Sequence, residues 1–229
     1  MSLTNISKPS TSLTNLTKAS FGETWDTIQS TWNSETRTWD ESGSLFSNDS
    51  KPVVITTSGP NSPGTTANDG FGFSNWSSVN NSKVSDNTYS TVVFLTGGGI
   101  SDRLKATNFG FSIPTGSTIN GISVEVETKI SANTATLSAY IVKGGTEGSE
   151  RKYALINGVT TTEQYLNIPA TGFTTELWGE TWTVDDINAS NFGVSIIASG
   201  SSSGTVSVDH IRMTIHYTTN QIITNQSRP

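Results

Sequence analysis

Residues 122–127 read ISVEVE and alternate strictly between apolar and polar side chains. A period of two places one row of side chains against a core and the opposite row in water, which is typical of an antiparallel strand. Similar strand-like runs occupy residues 88–95, 104–113, 137–142 and 192–196, and several of them end at turns rich in glycine or proline. The run at residues 206–217 changes phase near Asp209 and His210, which predicts a β-bulge.

About eight strands with turns between them favour an all-β fold, a β-sandwich of jelly-roll type, over residues 71–218. Ser, Thr, Asn and Gly make up close to half of the chain, a composition that weakens helices and suits strands and turns. One short helix is predicted at residues 183–188, with Thr183 as its N-cap. Residues 58–70 have loop chemistry and are predicted to be a linker, and residues 219–229 a loose tail.

Charge and composition exclude several classes of partner. The net charge is -6 and the sequence pI is about 4.8, and no run of Lys or Arg occurs, so neither nucleic acid nor an anionic membrane surface is an expected partner. No apolar stretch approaches the ~20 residues that span a bilayer. The chain has no cysteine, which excludes disulfides and thiolate metal sites.

Residues 1–57 are predicted to form an N-terminal docking arm, because short repeats replace the strand pattern there. SLTNISKP at residues 2–9 is echoed by SLTNLTKA at residues 12–19, and a weaker copy is found at residues 45–52. These copies are too short for a stacked repeat fold. They are either extended segments that occupy similar grooves on a partner, through Asn5, Lys8, Asn15 and Lys18, or a polar linker.

A Thr-Trp dipeptide recurs in the arm at a spacing of seven residues, at Trp25, Trp32 and Trp39. In a helix this spacing aligns the three indoles on one stripe with Ile28 beside them. So large an apolar stripe requires cover, from the chain's own core, a sister subunit or a foreign partner. The threonines disfavour a helix, so the arm is either extended or partly helical.

The sequence offers little catalytic chemistry, and we expect no enzyme and no cofactor. His210 and His216 fall on one strand face that the alternation predicts to be solvated, ~20 Å apart and too distant to share a metal. Glu125 and Glu127 share a strand face, as surface carboxylates commonly do. Calcium is the one metal for which the sequence offers suitable ligands, and it would have a structural role. The ligand oxygens would come from residues 68–70, 86–87, Asp102 and Asp209, although no defined calcium-loop motif is matched.

Three tryptophans are candidate sugar platforms, because an indole combines an apolar face with a polar edge. Trp76 lies in the sequence SNWS, and Trp178 and Trp182 lie in LWGETW. Each could stack on a sugar ring, and each could equally pack in a corner of the sandwich core.

Two stretches together resemble β-sandwich domains found among tailed-bacteriophage virion structural proteins. The first is NFGFSIPTGSTINGI at residues 108–122, and the second combines residues 178–194 with residues 208–211. The repeats of the arm are similar to N-terminal segments of such phage proteins. The resemblance covers most of the chain, but its motifs are turns and strand edges and carry no active-site residue. It implies a location in the virion and partners among capsid or tail proteins.

The sequence thus predicts a structural virion protein, anchored by its arm and exposing a β-sandwich, in several copies that form a homo-oligomer. A capsid decoration or head fibre and a tail fibre or adaptor remain open. The alternative is a carbohydrate-binding or host-receptor-binding module that recognises a host-surface glycan through Trp76, Trp178 or Trp182.

Overall fold

A computed structural model describes residues 55–71 and 74–219 of the 229-residue chain. Most of the arm and residues 220–229 of the tail lie outside the described residues. The same holds for the docking residues predicted in the arm, Asn5, Lys8, Asn15, Lys18, Trp25, Ile28, Trp32 and Trp39.

The described residues are almost entirely strands and turns. The strands are β1 (Thr56–Asn61), β2 (Thr65–Asn68), β3 (Ser90–Phe94), β4 (Gly99–Ile100), β5 (Leu104–Thr107), β6 (Thr118–Ile130), β7 (Thr136–Lys143), β8 (Thr146–Tyr153), β9 (Gln164–Ile168), β10 (Gly193–Gly200) and β11 (Gly204–Thr218). Two 3-10 turns, Val79–Ser82 and Phe173–Thr175, and one short helix, α1 (Val184–Asn188), complete the described elements.

The strands form two antiparallel sheets that pack face to face. Sheet A has the order β1-β11-β6-β9 with β3 paired to β11, and sheet B has the order β2-β5-β10-β7-β8 with β4 paired to β10. When β1 and β5 to β11 are counted as strands one to eight, the orders become 1-8-3-6 and 2-7-4-5. This is the double Greek key of a jelly roll, so the predicted fold class is confirmed.

The long pair β6–β11 forms the centre of sheet A, with Val206 opposite Ile130 at one end and Thr218 opposite Thr118 at the other. Its register shifts between Val208 and His210, which confirms the bulge predicted from the change of phase. The extra residue lets apolar side chains face the core both before and after the shift. Aliphatic and aromatic side chains of both sheets fill the space between them as one continuous core.

The predicted linker, residues 58–70, is part of the sandwich. β1 pairs with β11, and β2 pairs with β5 at the edge of sheet B. These pairings use backbone groups, which Ser, Thr and Gly supply without any apolar alternation. The sandwich therefore includes Thr56 and does not begin at residue 71.

Two other local predictions have different outcomes. α1 begins after Thr183, whose hydroxyl accepts the backbone N–H of Asp186 while the Asp186 carboxylate accepts the Thr183 N–H, so the predicted cap is confirmed. The strand predicted at residues 104–113 ends at Thr107, because Asn108 adopts a left-handed φ of 61°. Phe109, Phe111 and Ile113 are nevertheless buried in the core.

Candidate ligand-binding face

Two of the three tryptophans considered as sugar platforms lie in the core. Trp76 is 3% exposed and donates its Nε1–H to the carbonyl oxygen of Asp102 at 2.8 Å. Trp178 is 0% exposed and donates its Nε1–H to the carbonyl oxygen of Ile122 at 3.0 Å. Both indole rings are thus buried and their N–H groups are hydrogen-bonded inside the protein. Of the two alternatives that the sequence left open for these residues, packing in the core is the one observed.

Trp182 is half-buried at the margin of the core. Its ring packs edge-on against Phe192, with centroids 5.4 Å apart and planes at 79°, and its Nε1–H is donated to the Leu177 carbonyl at 3.0 Å. The Lys143 ammonium lies 5.3 Å from the ring centroid. One tryptophan therefore keeps some exposed surface, but its neighbours already engage it.

The outer side of sheet A, which we call the sheet-A face, carries the two histidines. The alternation predicted a solvated position for them, and this is wrong, since each is only 9% exposed. The His210 ring contacts Ser62 Oγ at 2.8 Å and Tyr165 Oη at 2.9 Å, and the His216 ring contacts Ser123 Oγ at 2.7 Å. Burial holds the pKa of both imidazoles below its ordinary value.

Three carboxylates also meet on the sheet-A face. Glu127, Glu163 and Asp209 each place a ligand oxygen within 4.8 Å of the others, and these are the described residues that could hold a metal ion. The Asp209 carboxylate accepts the backbone N–H groups of Asp86 and Asn87, and burial raises its pKa. The Lys129 ammonium lies 3.1 Å from Glu163.

The calcium ligands suggested by the sequence do not come together as one set. Asp102 is 0% exposed and accepts backbone N–H groups of Gly70, Phe71 and Arg103, so its carboxylate ties a loop to sheet B. Asp69 pairs with Lys105 at 3.4 Å. Asp209 lies instead with two glutamates that the sequence did not associate with calcium.

The outer side of sheet B carries a different surface. We call it the sheet-B face, and its members are Phe71, Arg103, Lys105, Ser138, Tyr140, Glu147, Arg151, Tyr153 and Ser195. Register places Lys105, Ser195, Tyr140 and Arg151 opposite one another on β5, β10, β7 and β8. At the usual strand spacing this row spans about 14 Å, and its side chains project from a rigid sheet.

Arg103 is held between two aromatic rings on this face. Its guanidinium carbon lies 3.7 Å from the Phe71 ring centroid and 5.3 Å from that of Tyr140. Its Nη1 is 3.0 Å from a Glu147 carboxylate oxygen. Cation–π contacts and an ion pair together hold the guanidinium in place.

Arg151 repeats the arrangement at the edge of the sheet. Its Nε and Nη2 both donate to the Ser138 hydroxyl, at 2.9 and 2.6 Å, and its guanidinium carbon lies 5.1 Å from the Tyr153 ring centroid. Tyr153 remains 49% exposed. An aromatic ring with open surface thus stands beside a positioned group of N–H donors.

Buried polar atoms without a hydrogen-bond partner occur on both outer faces of the described sandwich. Arg103 Nε, Glu147 Oε1 and Ser195 Oγ lie on the sheet-B face, and Glu127 Oε2 and Glu163 Oε1 lie on the sheet-A face. Such atoms are few in folded proteins, and water or a ligand commonly satisfies them. The sheet-B face therefore has the features of a binding surface: aromatic rings, fixed donors and unused polar groups.

Sequence reasoning missed this face, although one signal was available. Residues 137–142 alternate, and the polar phase of that alternation contains Ser138 and Tyr140. Residues 146–153, TEGSERKY, have no apolar alternation, so nothing in the pattern identified β8 or aligned Arg151 with Tyr140.

A cleft of about 390 Å³ lies at one end of the outer side of sheet B, two residues along β7 from Ser138, and is lined by Gly99, Ile100, Thr136, Asn157, Ser199, Gly200 and Ser201. Its lining is small and uncharged, and it contains no aromatic ring. It therefore has fewer ways to orient a ligand than the row of aromatic and charged side chains on the sheet-B face. No helix among the described residues is long and apolar enough to cross a membrane.

No family model and no curated protein matches the chain. Among solved structures, it is similar to the family 30 carbohydrate-binding module of cellulosomal cellulase Cel9D-Cel44B of Clostridium thermocellum, with 15% identity and a TM-score of 0.37 over 73% of this chain and 99% of that one. The family 11 module of cellulase Lic26A-Cel5E of the same organism has 14% identity and a TM-score of 0.34 over 70% and 85% of the two chains. At these identities the likeness concerns the fold alone.

Proposed function

We propose that the sandwich is a carbohydrate-binding domain and that the sheet-B face is its binding surface. The observation that carries the proposal is the pair of aromatic–arginine units, Arg103 with Tyr140 and Arg151 with Tyr153, on the outer side of one sheet, with the Tyr153 ring exposed. Sugars present apolar C–H faces and rings of hydroxyls. Aromatic rings pack against the former, and guanidinium, hydroxyl and carboxylate groups bond the latter.

Preorganisation supports binding at this surface. Ser138, Glu147 and the aromatic rings already fix the guanidinium groups, so a ligand orders few side chains when it binds. The row of side chains crosses four strands, about 14 Å at the usual strand spacing, which suits a chain of sugar units better than a single small molecule. We infer binding without catalysis, because the two acids at this face, Glu147 and Asp69, are each engaged by a cation, Arg103 and Lys105.

Binding of the full-length chain to a glycan array, with single variants, tests the proposal. Tyr153→Ala and Tyr140→Ala each remove a ring from the sheet-B face, and we expect at least a tenfold loss of affinity, about 1.4 kcal/mol. Tyr165→Ala is the matched control, because Tyr165 stacks with Arg212 at 3.8 Å on the sheet-A face. Asn157→Ala in the end cleft is a second control.

Both controls should bind as the unchanged protein does. Absence of binding to any glycan contradicts the proposal. Loss of binding in Asn157→Ala with retention in Tyr153→Ala would move the site from the sheet-B face to the cleft.

We further propose that the protein is a virion structural protein of a tailed phage, in which the arm docks on capsid or tail proteins and the sandwich faces outward. The motif at residues 108–122 and the arm repeats support this placement through their resemblance to phage proteins. Several copies on one particle would add avidity to a weak glycan contact.

Deletion of residues 1–52 tests the docking role. The shortened protein should stay folded and soluble and should be absent from purified particles, as judged by mass spectrometry and electron microscopy. Unchanged incorporation would contradict docking by the arm.

A further inference from the structure

The cations of the sheet-B face differ in their partners. Arg103 pairs with Glu147 at 3.0 Å, and Lys105 pairs with Asp69 at 3.4 Å. Arg151 has no carboxylate within ion-pair distance among the described residues, although the whole chain has 19 acidic side chains and 13 basic ones. The face therefore holds one positive charge in excess of its acids.

The geometry of Arg151 leaves part of its guanidinium available. Nε and Nη2 are engaged by Ser138, whose own side chain is buried, and no bond to Nη1 is seen among the described residues. Nη1 is not one of the buried atoms that lack a partner, so it reaches solvent. A fixed guanidinium with free donors beside the exposed ring of Tyr153 matches a planar anion carried on a sugar.

The opposite face of the sandwich provides an internal contrast. On the sheet-A face, Arg212 donates through Nε and Nη2 to both carboxylate oxygens of Glu125, at 3.0 Å each. The protein thus satisfies that arginine with its own carboxylate in a bidentate pair. Arg151 also lies over a tyrosine ring, at 5.1 Å where Arg212 lies at 3.8 Å, but it lacks the carboxylate.

We propose that the ligand of the sheet-B face is an acidic polysaccharide, and that Arg151 pairs with a carboxylate of one of its uronic acid units. This inference rests on the proposed carbohydrate-binding function and names its ligand class. A carboxylate fits the planar fork of the guanidinium, as the Glu125–Arg212 pair shows within this chain. The ligand would supply the same partner from outside.

Three acidic polysaccharides, polygalacturonate, alginate and hyaluronan, are the probes, each compared with its fully methyl-esterified form. Esterification keeps the sugar backbone and removes the charge. Affinity electrophoresis of the full-length chain should show at least tenfold tighter binding to one of the acidic forms than to its ester. Binding should weaken as salt is raised, because the pair lies at the surface.

Variants assign the effect to Arg151. Arg151→Gln should abolish the preference for the acidic form, and Arg151→Lys should restore it only in part, since an ammonium lacks the planar fork. Lys83→Gln, which makes the same charge change beside sheet A, should leave binding unchanged. Thermal unfolding of each variant confirms that it is folded at the assay temperature.

Five results would overturn the inference. Equal binding to an acidic polymer and its ester, or binding only to neutral glycans, would leave the carbohydrate-binding function standing without an acidic ligand. Equally tight binding to dextran sulfate, or an equal loss in Lys83→Gln, would indicate attraction to any polyanion. Absence of binding to these polymers and to every glycan on the array would contradict both the acidic ligand and the proposed carbohydrate-binding function.

Discussion

The two outer faces of the jelly roll both carry an arginine stacked on a tyrosine, but the surroundings of the two arginines differ. On the sheet-A face, Arg212 forms an ion pair with Glu125, Ser62 contacts the His210 ring, and the turn at residues 86–87 donates backbone N–H groups to Asp209. On the sheet-B face, Arg151 has a hydroxyl partner only, and Tyr153 stands open. On the sheet-A face the outward side chains thus bond to groups of the protein itself, whereas on the sheet-B face Arg151 and Tyr153 remain available to a ligand.

Substitution of Trp178 tests whether this residue stabilises the sandwich or belongs to its binding surface. It is 0% exposed and its indole N–H is satisfied inside, so Trp178→Ala should lower the free energy of unfolding by about 3–5 kcal/mol through lost burial and a cavity. Chemical denaturation measures this loss. Trp182→Ala, at a half-buried ring, should cost less. A Trp178→Ala protein that unfolds as the unchanged protein does would return Trp178 to the candidate sugar platforms.

Asp209 tests whether the polar groups of the sheet-A face are structural. Asp209→Ala leaves the N–H groups of Asp86 and Asn87 without their acceptor, which should cost about 1–3 kcal/mol of unfolding free energy. Asp209→Asn keeps an acceptor oxygen and removes a charge beside Glu127, and it should cost less. Denaturation at pH 7 compares the two, and equal losses would show that these backbone groups do not depend on the acceptor.

The histidines give the sheet-A face a pH dependence. Burial lowers the pKa of His216 below its ordinary value of 6.5, so the unfolded chain binds this proton more readily than the folded one. Stability from this group is present above pH 6.5 and is lost as the pH falls from there toward the folded pKa. Unfolding free energies between pH 7.5 and pH 5 measure it. His216→Gln should flatten the slope, and an unchanged slope would assign it to other groups.

The sequence predicted those parts of the fold that side-chain alternation determines. Residues 122–127 fall within β6, the change of phase at Asp209 and His210 marks a real bulge, and Thr183 caps α1. For the strand and the bulge, the local pattern and the local structure are the same physical fact, since burial on one face requires a period of two. The cap is also local, because Thr183 and Asp186 bond each other's backbone N–H groups within one turn.

Features that depend on distant segments could not be predicted in this way. β1 and β2 lack apolar alternation and form because β11 and β5 offer backbone partners to them. The histidines are buried because other segments cover their face. The sheet-B face joins Phe71, Arg103, Tyr140 and Glu147 from separate segments of the chain, so no spacing within a single run could indicate it.

Tyr153→Ala should have the smallest effect on stability. The side chain is 49% exposed on the edge strand β8, so its loss should change the free energy of unfolding by no more than about 0.5 kcal/mol in denaturation experiments. Tyr165→Ala should cost more, because the Tyr165 hydroxyl contacts His210 at 2.9 Å and the ring packs against Arg212. If the two losses are equal, Tyr153 is a structural residue and the faces do not differ in role. If Tyr153→Ala is neutral for folding yet loses glycan binding, the open ring is present for a ligand.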